Sequence, residues 1–262
     1  MHPFLHIENL SASFRGPLGD LHALEDVTFD VRRGEFVCLL GPSGCGKSTL
    51  LRIIAGLLQP TQGEVRIEGR LQREPQKRVG MVFQQPTLLP WRTVQDNVAL
   101  PLELERLSPE EIQQRTADLL TLVGLSGFEC EYPIHLSGGM AQRTAIARAL
   151  AQNPEVLLLD EPFGALDALT RERMAAELLR IWQRDQRTML MVTHSVEEAT
   201  LLADRVVVLS SRPGRVVDVI PINLPRPRSM ALLSAPELQA IARQLRQTLC
   251  LGDEEADEHK PC

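Results

Sequence analysis

The glycine-rich segment at residues 41–48 constrains this chain more than any other feature. It fits the pattern GxxxxGK followed by Ser or Thr, and it lies between a strand-like run at 35–40 and a helix-like run at 48–55. In such a phosphate-binding loop (P-loop), glycines let backbone N–H groups curl around phosphates, and the following helix adds its positive dipole end. Lys47 would reach the β- and γ-phosphates of a nucleotide, and the Ser48 hydroxyl would ligate Mg²⁺. The predicted phosphate site comprises Gly41, Pro42, Ser43, Gly44, Cys45, Gly46, Lys47, Ser48 and Thr49.

A second apolar run predicts the acidic half of such a site. Residues 156–159 are all apolar, and Asp160 and Glu161 follow them directly. A buried strand of a parallel sheet delivers the residues after it to the ligand crevice at the strand ends. Asp160 would hold Mg²⁺, directly or through water, and Glu161 would polarise the attacking water. The alternative is a buried strand followed by an acidic helix cap.

A third motif, Ser137-Gly138-Gly139, precedes a predicted helix that runs to about Leu150. A serine and two unhindered backbone N–H groups at a helix N-terminus form a second anion site. Taken alone, the same residues before a helix are an ordinary loop.

The order of strand-like and helical segments predicts an α/β fold with a mainly parallel sheet covered by helices on both faces. Alternating residues at 6–10 and 27–31 predict an antiparallel β subdomain at the N-terminus, and the region from about 93 to 150 has helical spacing. Within that helical insert, Ser108 begins a helix with a capping box and a proline at the first helical position. We therefore expect one nucleotide-binding domain over residues 1–222.

The remaining residues, 223–262, are expected to form a linker, a short helix and an acidic tail. The stretch after Pro221 is rich in proline and arginine, which is typical of a linker. A capping box at 234–237 opens an amphipathic helix, which we expect to dock on its own domain. The acidic residues at 253–258 predict a disordered tail.

Composition limits the partners. The net charge of −6 argues against a dedicated nucleic-acid binder, which usually has a basic face. No apolar run approaches the roughly 20 residues that a membrane helix needs, and the N-terminus lacks the pattern of a signal peptide. The five cysteines are scattered and lack metal-binding spacing, which predicts reduced thiols.

Over about residues 4–220 the sequence resembles the ATPase subunits of ABC transporters. The resemblance implies that Gln84 senses Mg²⁺ and the membrane subunit, and that His194 is the switch histidine. It also implies that Ser137, Gly138 and Gly139, the family's signature motif, contact the γ-phosphate bound to the opposite protomer. The residues 165–167 match the D-loop, with Asp167 also acting in trans, and Phe14 lies where the family places an aromatic ring against adenine.

The sequence departs from the family pattern at two of these positions. Met140 replaces the glutamine that commonly ends the signature, so any contact made by that glutamine side chain is absent. Phe14 stands where tyrosine is frequent, but stacking needs only the π face. Neither change argues against activity.

Finer resemblance, carried by residues 88–94, 160–167 and 211–214, is to the nitrate, sulfonate and taurine branch of bacterial importers. The resemblance to the ABC family as a whole implies a head-to-tail homodimer that closes on two ATP molecules with Mg²⁺. The finer resemblance also implies a separate integral membrane permease, an external solute-binding protein, and a location on the cytoplasmic face of the bacterial inner membrane. The transported solute is left open.

Two other classes are alternatives. A soluble ABC ATPase of translation usually carries two cassettes, and one of DNA repair carries a long coiled coil; this chain has one cassette and a compact insert. A P-loop kinase or GTPase gives no reason for the Ser137 motif or for His194.

Overall fold

The computed structural model describes residues 3–16, 19–164, 166–226, 228 and 235–257. The chain divides into two compact units. We call Met1–Gln76 with Arg187–Cys262 the P-loop unit and Lys77–Gln186 the helical unit. The helical insert predicted at about 93–150 falls inside the helical unit, which is larger because it also contains two strands and a further helix.

In chain order the strands are β1 (Leu5–Gly16), β2 (Gly19–Val31), β3 (Phe36–Leu40), β4 (Gln62–Ile67), β5 (Arg70–Leu71), β6 (Val79–Val82), β7 (Val156–Asp160), β8 (Thr188–Thr193), β9 (Arg205–Leu209) and β10 (Val216–Pro221). The helices are α1 (Lys47–Ile54), α2 (Val94–Leu104), α3 (Pro109–Leu122), α4 (Gly138–Leu150), α5 (Ala168–Asp185), α6 (Val196–Leu202) and α7 (Pro236–Asp257). A short 3₁₀ helix covers Pro133–His135.

An antiparallel sheet of order β2-β1-β4-β5 lies in the P-loop unit. Within β1, Leu5, Ile7 and Leu10 are buried while His6, Glu8 and Asn9 are more accessible, as expected for a strand with one face on a core. The N-terminal antiparallel β subdomain is therefore confirmed.

The P-loop unit also contains four strands in the order β10-β9-β3-β8. Strand β3 pairs in parallel with both β8 and β9. Strand β10 pairs antiparallel with β9. Every residue of β3 and of β8 is buried, which explains the apolar sequence of β3 and the apolar run between Thr188 and Thr193 in β8. Leu40 pairs with Thr193, so the residues that follow β3 and β8 emerge at the same edge.

The helical unit repeats this arrangement with two strands. β6 and β7 pair in parallel with Val82 opposite Leu159, so the residues that follow them also share one edge. The helices α2, α3 and α4 pack on one another, and α4 contacts β6 and α5. Thr93 and Ser108 begin α2 and α3 with capping boxes, and the Ser108 box is the predicted one.

The C-terminal helix is longer than the short helix expected from the sequence. α7 runs from Pro236 to Asp257 and so includes acidic residues that we expected in a disordered tail. It contacts α6, β9 and β10 and buries Leu238, Ala242 and Leu245, as predicted for a helix docked on its own domain. Ser234, the predicted N-cap, lies outside the described residues.

In the stretch after β10, which we expect to be a linker, Arg226 and Arg228 are packed into the P-loop unit. Arg228 is 4% exposed, and its guanidinium donates to the carbonyl oxygens of Thr200, Ala203, Ile222 and Leu224. Burial, together with the charge of Arg226, lowers the pKa of Arg228 to about 10. Arg226 in turn donates to the Asp204 carboxylate at 2.7 Å, so both arginines tie the stretch to the P-loop unit.

Within the described residues no helix is both long and apolar enough to cross a membrane. The cysteines that the structure describes, Cys38, Cys45, Cys130 and Cys250, are free thiols.

Candidate functional site

The P-loop joins β3 to α1 and leaves the N-terminus of that helix open to an anion. Gly46 is the N-cap, with φ of 102° in the left-handed region, and it offers no side chain to cap the helix. The first turn of α1 carries no acidic residue. The N–H groups at a helix start lack intrahelical partners, so this end of α1 is suited to phosphate.

Lys47 brings a buried positive charge to the loop. The residue is 4% exposed, and its ammonium donates to the carbonyl oxygens of Gly41 at 2.8 Å and Pro42 at 2.7 Å. Burial raises the pKa of the neighbouring Cys45 thiol, so that side chain stays neutral near neutral pH. The charge of the loop therefore comes from Lys47.

Gly214 packs against the backbone of the P-loop at Cys45, a contact that sequence analysis did not predict. Its N–H donates to the Ala23 carbonyl at 3.0 Å, and its own carbonyl accepts from the Glu25 N–H at 3.1 Å. A Cβ at this position would lie 2.2 Å from the Cys45 carbonyl oxygen. Only glycine permits this approach of two backbones. The Pro213-Gly214 pair signals a turn in the sequence but not what the turn touches.

His194 lies at the corner between β8 and α6, at the sheet edge that also carries the P-loop. Its neighbours form a hydrogen-bonded corner: Thr193 Oγ1 donates to Glu198 Oε2 at 2.5 Å, and Ser195 Oγ caps α6 by accepting from the Glu198 N–H at 3.2 Å. His194 itself is exposed. The fold thus places the predicted histidine and the P-loop along one edge of one sheet.

Gln84 and Glu161 come together in the helical unit, as the parallel pairing of β6 and β7 requires. Gln84 Nε2 donates to Glu161 Oε2 at 3.3 Å. Glu161 adopts a left-handed φ of 43°, which non-glycine residues rarely take outside turns and functional sites. Asp160, the last residue of β7, is 3% exposed. The Glu161 carboxylate therefore contacts the Gln84 amide, and the buried Asp160 precedes Glu161 in the chain.

The Ser137 motif opens α4 in the predicted way. Ser137 is the N-cap, its Oγ accepts from the Met140 N–H at 3.3 Å, and the first turn carries no acidic residue. Ser137 and Gly138 are exposed and Gly139 is buried. A Cβ at Gly139 would lie 2.7 Å from Thr170 Cγ2 of α5, so this glycine also serves helix packing, a role that the sequence did not indicate.

Asp167 serves as the N-cap of α5. Its carboxylate accepts from the Thr170 N–H at 3.0 Å, and hydrogen bonds from Thr170 lower the pKa of Asp167. Ala165, the first residue of the same predicted motif, lies outside the described residues. The contact of Asp167 with an opposite protomer stays a prediction.

Phe14 lies on β1 opposite Leu21 of β2, with 38% of its surface exposed. Its aromatic face is therefore accessible. Stacking of Phe14 on adenine stays a prediction.

Comparison of the sequence with known proteins matches this chain to one family. Residues 24–164 match the family model described as ABC transporter. The chain is 51% identical over 224 residues to an uncharacterised ABC transporter ATP-binding protein of Methanocaldococcus jannaschii, covering 86% of this chain and 84% of that protein. It is 45% identical over 233 residues to the aliphatic sulfonates import ATP-binding protein SsuB of Bacillus cereus, covering 89% and 92%.

Solved structures agree. A dimeric ATP-binding cassette in a post-hydrolysis state, bound to ADP and Pi, superposes with a TM-score of 0.76 at 35% identity, covering 84% of this chain and 100% of that one. A component of the cbiONQ ABC transporter complex of Clostridium perfringens has the same TM-score at 26% identity, covering 96% and 99%.

The chain belongs to the ABC transporter family of ATP-binding proteins. It is an ABC-type ATPase that binds ATP, and it is the ATPase subunit of a transporter. The α/β fold predicted from the sequence is confirmed, and these relatives give no support to a role in translation or DNA repair.

Proposed function

We propose that this chain drives an importer for small sulfonate-like anions, hydrolysing ATP as a homodimer on the cytoplasmic face of a bacterial inner membrane. The observation that carries the chemistry is the contact between Gln84 Nε2 and Glu161 Oε2 at 3.3 Å. The import direction and the solute class are supported by the 45% identity to a sulfonate import ATP-binding protein across nearly the full length of both chains.

The residues present fit a magnesium nucleotide. Mg²⁺ takes oxygen ligands, usually one or two carboxylates together with substrate phosphates. In the helical unit the buried Asp160 carboxylate and the Gln84 amide oxygen would be such ligands, and in the P-loop unit the Ser48 hydroxyl would be one. Lys47 and the open N–H groups of α1 bind the phosphates. Mg²⁺, when bound, neutralises charge that develops on the phosphate oxygens.

Hydrolysis depends on where Glu161 is held. Its carboxylate would take the proton of the attacking water as a general base. Phosphoryl transfer to water otherwise needs positioning more than covalent chemistry. The Gln84 amide orients that carboxylate through the observed contact. His194, at the corner between β8 and α6, would donate a hydrogen bond to the γ-phosphate that water attacks, while ADP leaves.

The second half of each site comes from the partner protomer. Ser137, Gly138 and Gly139, with Asp167, bind the γ-phosphate held by the opposite P-loop, using the open N-terminus of α4. A dimeric cassette among the similar structures supports this assembly. Closure then needs ATP, and hydrolysis removes the bridge between protomers.

Two exposed apolar side chains, one in the segment after Gln84 and one in the segment before Ser137, fit contact with a permease. Trp91 is 71% exposed and Ile134 is 87% exposed. Their segments are joined by hydrogen bonds from the Val94 N–H to the Glu131 carbonyl and from the Gln95 N–H to the Glu129 carbonyl. Exposed apolar patches of this kind mark interaction sites. The permease in turn would receive solute from an external solute-binding protein.

Reconstitution tests the proposal. The chain is captured from detergent-solubilised native membranes, its co-purifying permease is identified by mass spectrometry, and both are placed in proteoliposomes with candidate solutes and their binding protein. We expect ATP-dependent uptake of sulfonates such as ethanesulfonate, and loss of permease capture, without loss of ATP binding, when Trp91 and Ile134 are both changed to Ser. Capture of ribosomes or repair factors with no integral membrane protein would overturn the transport role.

A further inference from the structure

The segment that follows Gln84, residues 86–93, is held by two side chains that the mechanism above does not use. Asn97 lies on α2, and Arg148 lies near the end of α4, the helix that begins after Ser137. Both side chains hydrogen-bond mainly to backbone atoms of the segment, so they act on its position and not on its side chains.

Arg148 holds the start of the segment. Its Nη1 donates to the Thr87 carbonyl at 3.0 Å, and its Nη2 donates to the Pro86 carbonyl at 2.9 Å and to Thr87 Oγ1 at 3.2 Å. Pro86 is two residues from Gln84. A planar guanidinium that engages several oxygens fixes their relative positions more tightly than a lysine ammonium would.

Asn97 holds the remainder. The side chain is fully buried, and its Oδ1 accepts from the Leu89 N–H at 2.8 Å. The two hydrogens of its Nδ2 are shared among the carbonyl oxygens of Leu89 at 3.2 Å, Arg92 at 3.1 Å and Thr93 at 2.9 Å. Such a satisfied buried amide specifies one backbone conformation, because any other would leave polar groups unbonded.

The backbone of the segment is strained at Thr87, the residue to which Arg148 donates hydrogen bonds. Thr87 has a left-handed φ of 47°, which a β-branched residue adopts only when its surroundings impose it. Arg148 bonds both the carbonyl and the hydroxyl of this residue. The Arg148 guanidinium therefore helps to hold Thr87 in its strained conformation.

We propose that Asn97 and Arg148 are positioning residues that make the segment after Gln84 part of one rigid body with α4, so that Gln84 and Ser137 move together. The inference rests on the proposed role of Gln84. A permease that presses on the exposed end of this segment would thereby move the signature helix as well.

Arg143 provides a matched control on the same helix. Its Nη1 donates to the carbonyls of Val123 at 3.2 Å and Gly124 at 3.0 Å. It is thus an α4 arginine that also bonds two backbone carbonyls, but of a loop that does not lead to Gln84. Arg143→Ala therefore measures the effect of losing hydrogen bonds from an α4 arginine to a loop other than the segment after Gln84.

Trp91 reports on the segment directly. The chain has two tryptophans, of which Trp91 is 71% exposed and Trp182 is 5% exposed. In a Trp182→Phe background, time-resolved fluorescence anisotropy therefore follows Trp91 alone, without nucleotide. We expect Arg148→Ala to lower its residual anisotropy at least about twofold, Arg148→Lys to lie between, and Arg143→Ala to leave it unchanged.

Hydrolysis gives the second readout. Arg148→Ala should lower kcat about 10-fold, since small misplacements of this kind cost up to about 100-fold, while the KM for ATP changes less than about twofold because the P-loop is untouched. Arg148→Lys should recover part of kcat, and it serves as the test variant if Arg148→Ala does not fold.

The outcomes separate the two proposals. Equal anisotropy in Arg148→Ala, Arg148→Lys and Arg143→Ala would overturn the rigid-body inference whatever the chain does with ATP. Equal losses of kcat in Arg148→Ala and Arg143→Ala would overturn it too. Absence of hydrolysis in the unsubstituted chain, with the expected anisotropy pattern, would instead refute the proposed function.

Discussion

At the residue scale, two residues that matter for the proposals have left-handed backbone conformations, which non-glycine residues rarely adopt. Glu161 has a left-handed φ of 43° and Thr87 one of 47°. Residues in such conformations cluster at functional sites because the surrounding structure must impose them. Glu161 follows a buried strand, and Gln84 Nε2 donates to its Oε2 at 3.3 Å, so a hydrogen bond orients the carboxylate of the proposed base.

Glu161→Gln tests this residue. The amide keeps the shape and the contact with Gln84 but cannot accept a proton, so we expect kcat to fall by about 100- to 10,000-fold. ATP affinity, measured by direct titration, should stay within about twofold. Glu172→Gln, which changes an exposed glutamate of α5, is the control and should keep its turnover. Undiminished hydrolysis in Glu161→Gln would remove Glu161 from the mechanism.

At the scale of elements, close helix contacts decide where the signature motif lies. Gly138 and Gly139 are adjacent at the start of α4, but a Cβ at Gly138 would lie 3.6 Å from Leu166 Cδ2, an ordinary contact, whereas one at Gly139 would lie 2.7 Å from Thr170 Cγ2. The two glycines therefore do different things, which their sequence alone does not distinguish.

Substituting each glycine by alanine separates these roles. Both changes gain up to about 1 kcal/mol from helix propensity, but Gly139→Ala also forces α4 and α5 apart, which typically costs about 1–3 kcal/mol. We expect Gly139→Ala to have the lower free energy of unfolding in urea. Adding Thr170→Ser, which removes Cγ2, should close the gap. Equal stability of the two single variants would show that α4 and α5 adjust without cost.

The same scale explains the C-terminal segment. α7 buries Leu238, Ala242 and Leu245 against the P-loop unit, and the Arg246 guanidinium pairs with Glu197 of α6 at 2.6 Å. Both partners of that pair are half exposed, so apolar burial supplies more of the stabilisation than the ion pair does. The helix is thus part of the P-loop unit.

At the scale of the whole molecule, the proposed sites are complete only in a dimer. Lys47→Ala removes the P-loop cation, and Ser137→Glu places a negative charge where the opposite γ-phosphate would bind. We expect neither variant alone to dimerise with ATP, because each homodimer would contain two damaged sites.

A mixture of the two variants should dimerise, because one intact P-loop then meets one intact signature motif. Energy transfer between differently labelled chains, with ATP and without Mg²⁺, measures this. Lys47→Ala chains carrying the two labels are the control and should show no transfer. If the mixture stays monomeric while the unsubstituted chain dimerises, the head-to-tail arrangement is wrong.

The sequence by itself determined the class of this protein and where its candidate motifs lie. The P-loop, the acidic pair after β7 and the Ser137 motif are runs of neighbouring residues whose backbone requirements are local, so spacing and residue type were enough to predict them. The same holds for the buried strands and for the helix that Ser108 begins, which the structure confirms.

The tertiary structure decided what holds those parts in place. Gly214 against Cys45, Gly139 against Thr170, and Arg148 against Thr87 are contacts between residues far apart in the chain. The burial of Arg228 and the length of α7 depend likewise on surfaces that other segments provide. No local pattern encodes such pairs, because each residue alone is compatible with an ordinary turn, helix or solvated surface, and only packing assigns it a partner.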